Sequence, residues 1–186
     1  MSAPIAPTHR YTPLAIALHW LLALALLGVF LVGVYMSGLS FSPQKLKLIS
    51  WHKWAGITIL LLSALRLAWR LAHRPPPLPE PVRAAMPAWQ QAAHHGTHAL
   101  MYALFFVVPL LGWAYSSAAG VPVVLFGVLP LPDLLPAGET LAELVKPTHA
   151  VAAYALAALA VLHVAAALKH QFIDRDGLLA RMRPAR

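Results

Sequence analysis

Long apolar runs alternate with more polar links along this chain, and four of the runs are long enough to cross a membrane. A helix needs about 20 apolar residues to cross a hydrocarbon layer of about 30 Å. Such runs lie at about residues 14–35, 51–71, 97–117 and 148–168. The pattern predicts an all-α fold, an integral membrane four-helix bundle, with residues 1–186 forming a single domain.

The links between the runs differ in composition. Residues 36–50 form a short link, whereas residues 73–96 open with the proline-rich stretch HRPPPLPEP. That stretch predicts an extended segment, followed by a short helix at the membrane surface. Residues 118–147 are long and unusually apolar. We expect this last link to lie on the membrane surface and to cover part of the bundle.

Composition supports the membrane assignment and limits the chemistry. Hydrophobic residues make up 60% of the chain and charged residues 11%, which is far from the usual values for soluble domains. The chain has no cysteine, which excludes disulfides and iron–sulfur clusters. The net charge of +8 is interpreted as a sign of membrane topology, with anionic lipid as the partner, and not of nucleic-acid binding.

Lysine and arginine are distributed unevenly between the two predicted sides of the membrane. The positive-inside rule assigns the richer side, and therefore both chain termini, to the cytoplasm. That side carries Arg10, Arg66, Arg70, Arg74, Arg83, Lys169, Arg175, Arg181, Arg183 and Arg186, and the other carries Lys45, Lys47, Lys53 and Lys146.

The fourth run carries histidines at a spacing that suits a helical ladder. His149 and His163 are fourteen residues apart, which at about 100° per residue places them on one face of a helix, separated by about 21 Å. Ionisable residues inside a membrane span are costly and usually mark function. These two residues are therefore candidate ligands near the outer and the inner side of the bilayer.

Two other runs offer histidines at matching depths. His19 lies five residues into the first run, at the depth of His163, and His52 begins the second run, at the depth of His149. Two facing histidine pairs inside a helical bundle are typical of two bis-histidine b-type haems. We therefore predict two haem b groups, with iron ligands His19, His52, His149 and His163.

The same fourteen-residue spacing selects further candidate haem-binding residues. Arg66 follows His52 at that spacing, and an arginine at the inner depth would bind haem propionates. Gly33 follows His19 and would let a bulky porphyrin approach the backbone at the outer depth. In the third run His98 precedes Gly112 by fourteen residues, and we expect that helix to supply a wall of the site.

Three alternatives to this interpretation stay open from the residues alone. A membrane histidine can be a hydrogen-bonding group between helices. The HHGTH motif places His94 and His98 on one helical face, as in some zinc sites, although no third ligand is evident. Arg66 could be a residue that extends from the helix end to the membrane surface.

Several motifs together resemble the bacterial cytochrome b-561 family. They are ALHW at 17–20, WHKWAGI at 51–57, LRLAWR at 65–70 followed by PPPLP, HALMYALFFVVPLLGW at 98–113 and THAVAAYALAALAVLHVAAALKHQF at 148–172. Their order is that of the family, and the resemblance covers nearly the whole chain.

The resemblance implies a protein of the bacterial inner membrane with two b haems on the four histidines named above. The family includes superoxide oxidases, which oxidise superoxide on the outer side and reduce ubiquinone. In that family a histidine seven residues after the last ligand lies at the quinone site, which here implies His170, with Lys169 beside it. Lys45, Lys47 and Lys53 could attract superoxide electrostatically, although Asp133, Glu139 and Glu143 lie on the same side.

The expected function is therefore electron transfer across the inner membrane, from superoxide or another one-electron donor to a quinone. A second hypothesis is a haem-b subunit that serves a separate dehydrogenase or a periplasmic cytochrome. A third is a histidine-rich scaffold or zinc protein without redox function. The first two differ in whether the isolated protein turns over with superoxide and quinone alone.

Overall fold

The computed structural model describes residues 10–183, so that Arg186 lies outside the described residues. These described residues form five α-helices and one small hairpin, together with two shorter helical segments near the C-terminal end. They are α1 (Pro13–Ser37), α2 (Pro43–Ala72), α3 (Glu80–Ala85), α4 (Ala88–Ala118), β1 (Val124–Leu125), β2 (Leu129–Pro130) and α5 (Glu139–Lys169). A π-helical turn (His170–Asp174) and a 3₁₀ helix (Leu178–Met182) follow.

The predicted all-α membrane fold is confirmed: α1, α2, α4 and α5 are each long and apolar enough to span a membrane. Three of these helices begin well before the predicted positions 51, 97 and 148, at Pro43, Ala88 and Glu139. A hydropathy pattern detects only the part of a helix that lies in lipid. At the start of α2, Ser42 accepts a hydrogen bond from the Lys45 backbone N–H (3.2 Å), which caps the polar first turns.

The helices pack unevenly, and α5, which carries His149 and His163, is the least enclosed. The close backbone packings among the described helices are α1 with α2, α2 with α4, and α4 with α5. Neither α1 nor α2 packs its backbone closely against α5, and Leu156 is the single buried residue described on that helix. The bundle therefore has room along α5, on the side that faces α1 and α2.

At the end predicted to face outward, residues 119–138 fold over the bundle. This link contains the β1–β2 hairpin, in which Leu125 pairs with Leu129. Trp54 and Trp113 donate indole hydrogen bonds to the carbonyls of Val124 (2.7 Å) and Pro132 (3.1 Å). The expected covering role of the long apolar link is thus seen in its contacts with α2 and α4.

At the opposite end, the C-terminal segment packs against the rest of the protein. Trp20 of α1 donates a hydrogen bond to the Met182 carbonyl (2.8 Å). Arg181 is buried, and its guanidinium donates to the carbonyls of Pro76 and Pro77 at 2.9 Å. Burial lowers the pKa of Arg181 from its ordinary value. This basic segment is therefore a structural part of the bundle end, and Arg181 is not available as a contact to lipid headgroups.

Candidate functional site

The outer histidine pair joins α2 to α5 beneath the hairpin. The imidazole centroids of His52 and His149 are 6.2 Å apart, with their ring planes at 89°. A cavity of about 40 Å³ lies beside them and is lined in part by Ile57, Pro109 and Val123. The structure thus brings together two residues that the sequence predicted to lie at the same depth.

A glycine on a neighbouring helix faces each ring of the outer pair. A Cβ atom on Gly33 would lie 3.0 Å from His52 Cε1, and one on Gly112 would lie 3.1 Å from His149 Cε1. Both distances are shorter than ordinary carbon–carbon contacts. Gly33 therefore admits the imidazole of His52, whereas the sequence suggested that it admits a porphyrin. A direct role of Gly33 toward a porphyrin stays a prediction.

The imidazoles of the outer pair lie near backbone carbonyls one turn before these glycines. His149 Nδ1 lies 3.0 Å from the Val108 carbonyl oxygen, to which it can donate. The Val29 carbonyl interacts with the His52 ring, but His52 Nδ1 is buried without a hydrogen bond of normal geometry. Donation from Nδ1 fixes the tautomer that leaves Nε2 unprotonated, and unprotonated Nε2 is the form that binds a metal.

The inner pair joins α1 to α5. The centroids of His19 and His163 are 6.3 Å apart. Arg66 donates from Nε to the Tyr102 hydroxyl (3.1 Å), and its Nη2 lies 3.2 Å from His19 Nδ1. Arginine can only donate, so this contact requires His19 to carry its proton on Nε2. Ligation through His19 Nε2 therefore requires Arg66 to turn away from Nδ1.

Both pairs have the ring spacing that axial haem ligation demands. An imidazole nitrogen binds a metal at about 2 Å, and the ring centre lies roughly 1 Å further away, so opposed ligands place their centroids roughly 6 Å apart. The values of 6.2 and 6.3 Å match this geometry. The absence of close backbone packing of α5 against α1 and α2 leaves space for a flat group between them. The residues present therefore fit two b-type haems.

A cationic cavity adjoins the inner pair. It has a volume of about 220 Å³ and lies between the start of α1, the end of α2 and α4. No acidic side chain contributes to its described lining, which includes Arg10, Arg66, Arg70, Arg74 and Tyr102. Such a lining suits carboxylates, which is the chemistry predicted for Arg66.

The structure places His98 beside the inner pair, at a shorter ring spacing than the two predicted ligand pairs have, and its expected role as a wall of the site stays a prediction. Its centroid lies 5.2 Å from that of His163 and 4.5 Å from that of His94. Both distances are shorter than the spacing of opposed ligands. Among the described residues, no group of three potential metal ligands includes His94 or His98, which leaves the zinc alternative without a third ligand.

His170 lies in a cluster of charged residues at the end of α5. Its Nδ1 is 2.6 Å from Asp176 Oδ2 and 3.1 Å from Asp174 Oδ2. Lys169 binds Asp174, with Nζ 2.6 Å from Oδ2. The sequence analysis missed both aspartates, although the stretch KHQFIDRD at 169–176 places them within two turns of His170.

The outer lysines are less available to an anion than the sequence suggested. Lys53 Nζ donates to Ser116 Oγ and to the carbonyls of Val121 and Pro122, each at 3.1 Å. Lys45 Nζ donates to the Leu39 carbonyl at 2.5 Å. Lys47 is exposed and lies over the ring of Trp51. Lys53 therefore holds the covering link, and the predicted electrostatic steering would depend mainly on Lys47 and Lys45.

Comparison with known proteins identifies relatives along nearly the whole chain. A sequence model described as prokaryotic cytochrome b561 matches residues 10–185. Cytochrome b561 homolog 2 of Escherichia coli (strain K12) is 34% identical, over 94% of this chain and 91% of that protein. The probable superoxide oxidase CybB of Yersinia pestis is 32% identical, over 94% and 96%. Cytochrome b561 homolog 1 of Escherichia coli (strain K12) is 31% identical, over 96% and 99%.

Proposed function

The chain belongs to the prokaryotic cytochrome b561 family, and we propose that it is a di-haem cytochrome that oxidises superoxide and reduces ubiquinone. Family membership makes it a membrane cytochrome b with a b-type haem and an electron-transfer function. The number of haems, the donor and the acceptor are the proposed part. The two nearly equal histidine spacings, 6.2 and 6.3 Å, are the observation that carries the proposal of two haems.

Bound b-type haem supplies reversible one-electron transfer. Four histidines would hold the two haem irons, His52 with His149 and His19 with His163. Val108 orients His149, and Gly112 makes room for its ring. Arg66 and Tyr102 would hold the carboxylates of the inner group, because they line the cationic cavity next to His19.

The proposed net reaction joins two one-electron oxidations to one two-electron reduction. Two superoxide anions give two molecules of O₂ and two electrons, and ubiquinone takes up these electrons with two protons to form ubiquinol. Superoxide would react at the end covered by residues 119–138, near His52. Ubiquinone would react at the other end, near His170 and Lys169, where the lipid-facing surface of α5 allows it to approach.

Support for a superoxide donor comes from the relative named as a probable superoxide oxidase, which matches 94% of this chain. The uneven distribution of arginine and lysine supports placement in a bacterial inner membrane with both termini in the cytoplasm. The outer pair then faces the periplasm.

Haem content tests the proposed ligands. We expect about two haems b per chain in the detergent-purified protein, by pyridine haemochrome spectra and iron analysis, and about one in His19→Ala and in His52→Ala. His95→Ala is the matched control, because His95 is exposed and should leave the haem content unchanged. One haem in the unchanged protein would refute one of the two pairs.

Turnover tests the proposed reaction. The purified protein should reduce ubiquinone-1 when superoxide is generated enzymatically, and superoxide dismutase should abolish that reduction. A protein that holds two haems but does not turn over would contradict the superoxide oxidase proposal and favour an electron carrier that serves another protein.

A further inference from the structure

Asp176 is fixed in place by contacts on both of its carboxylate oxygens. Oδ1 accepts a hydrogen bond from the Leu178 backbone N–H (3.1 Å), and Oδ2 lies 2.6 Å from His170 Nδ1. The side chains of Asp176 and His170 are largely buried, with 13% and 14% of their surfaces exposed. The backbone thus holds the carboxylate against one particular nitrogen of the imidazole.

The second aspartate of the cluster has a different partner. Asp174 lies 2.6–2.8 Å from the ammonium group of Lys169 through both carboxylate oxygens, and its contact with His170 is longer, at 3.1 Å. Lys169 therefore balances the charge of Asp174. The carboxylate of Asp176 instead contacts the imidazole of His170.

We propose that Asp176 is the positioning residue that makes His170 a proton donor to the quinone, an inference that rests on the function proposed above. A carboxylate at Nδ1 keeps the proton on that nitrogen and stabilises the imidazolium, as in other carboxylate–histidine pairs. Nε2 is then the nitrogen that faces the acceptor. His170 is the catalytic residue, and Asp176 acts through it.

The proposed step is balanced in protons and electrons. Ubiquinone takes up two electrons, which originate from the one-electron donor, and two protons. One of these protons leaves Nε2 of the His170 imidazolium and forms an O–H bond on the reduced quinone. The neutral imidazole keeps its proton on Nδ1, hydrogen-bonded to Asp176. Cytoplasmic water returns a proton to Nε2 and supplies the second proton that the reduced quinone takes up.

Other charged and titratable groups surround this pair. Lys169 and Asp174 lie on the same helical end, and His94 on α4 lies within electrostatic range of His170 and His163. Any of these groups could influence His170 through charge. Asp176 differs from them because its contact selects the tautomer.

Replacement of Asp176 by asparagine provides a sharp test. The Leu178 N–H still requires an oxygen, so the amide NH₂ of asparagine would face His170 Nδ1 and force the opposite tautomer. In haem-loaded protein that is reduced with dithionite, freed of excess reductant and mixed with ubiquinone-1, we expect the maximal rate constant of haem oxidation, the kcat of this half-reaction, to fall by roughly 10- to 100-fold in Asp176→Asn. KM for the quinone should stay close to that of the unchanged protein, since Nε2 can still form a hydrogen bond.

Control variants separate positioning from folding. Asp133→Asn, an exposed aspartate at the opposite end, should react at the unchanged rate. Asp176→Glu keeps the carboxylate and should recover part of the lost rate. Loss of haem together with activity in Asp176→Asn, or an equal loss in Asp176→Glu, would overturn a positioning role. The double variant Asp176→Asn/His170→Gln should be no slower than His170→Gln.

A second readout does not depend on turnover. In ¹⁵N-histidine NMR spectra of the haem-loaded protein, the His170 signals are those that disappear in His170→Gln. In the neutral form of the ring, these signals should show Nδ1 protonated in the unchanged protein and Nε2 protonated in Asp176→Asn. If the unchanged protein and Asp176→Asn have the same His170 tautomer, or the same kcat, the positioning role of Asp176 is wrong. The function proposed above would not be affected by that result. An unchanged protein that reduces no ubiquinone-1 would overturn the proposed acceptor as well.

Discussion

Single glycine residues set how closely the outer histidines approach the neighbouring helices. His149 reaches the Val108 carbonyl only because Gly112, one turn later on α4, has no side chain. Gly33 on α1 likewise makes room for the imidazole of His52 on α2. A methyl group at either position would push the imidazole away from the backbone and out of line with its partner.

We expect Gly33→Ala and Gly112→Ala to lose most of the outer haem, so that haem content falls from about two toward one per chain. The controls are Gly28→Ala on α1 and Gly96→Ala on α4, where an added Cβ meets nothing within 4 Å. Pyridine haemochrome spectra of all four variants make the comparison. Full haem content in Gly33→Ala would show that the His52 ring adjusts without cost.

A second prediction at this scale concerns Arg66. A nearby cation favours the more negatively charged, reduced state of a redox group, so its removal should lower the midpoint potential. In Arg66→Gln we expect a decrease on the order of tens of millivolts for one of the two haems. Redox titration with optical detection measures this shift. Arg83→Gln is the control, because Arg83 is exposed on α3 and paired with Glu80; an equal shift in both variants would argue against a specific role.

The elements of the bundle show what a sequence pattern can and cannot predict. The histidine pairs could be predicted because helical rise and membrane thickness together fix depth, and depth selects the partners. The starts of α2, α4 and α5 could not be predicted, because the first turns of these helices extend beyond the apolar stretch that the hydropathy pattern detects. Asp176 was missed since its position depends on the π-helical turn and on Arg175, whose φ of 52° reverses the chain.

The link formed by residues 119–138 should depend on Lys53 to stay packed over the bundle. Its ammonium group donates to three oxygens around the end of α4 and the start of the link, and hydrogen bonds from charged groups contribute about 1.5–3 kcal/mol each when buried. Lys53 is only partly buried, so the combined effect is smaller. We expect Lys53→Met to raise hydrogen exchange in residues 119–138 several-fold, as measured by mass spectrometry.

Lys47→Met is the matched control for this element. Lys47 is exposed and contacts only a tryptophan ring among the interactions described for it. Its replacement should leave exchange in the link unchanged while it reduces any electrostatic attraction of superoxide. If exchange rises equally in both variants, the link responds to local charge and not to the hydrogen bonds of Lys53.

The whole molecule is asymmetric in a way that gives the two ends different tasks. One end carries a hairpin held over the outer histidine pair, and the other carries the arginine-lined cavity and the His170–Asp176 pair. Electron transfer in a defined direction requires that these ends face opposite compartments. Orientation in the membrane is therefore part of the proposed function, and the arginine and lysine distribution supports the proposed orientation.

The chain has no cysteine, so single introduced cysteines report orientation without background. We expect Ser40→Cys, in the exposed α1–α2 link, to react with a membrane-impermeant maleimide in intact spheroplasts, because the proposed orientation places this link in the periplasm. Ala84→Cys, exposed on α3, should react only after the membrane is opened. The reverse labelling would place the hairpin end in the cytoplasm, and a superoxide donor from the periplasm would then lie on the wrong side of the outer histidine pair.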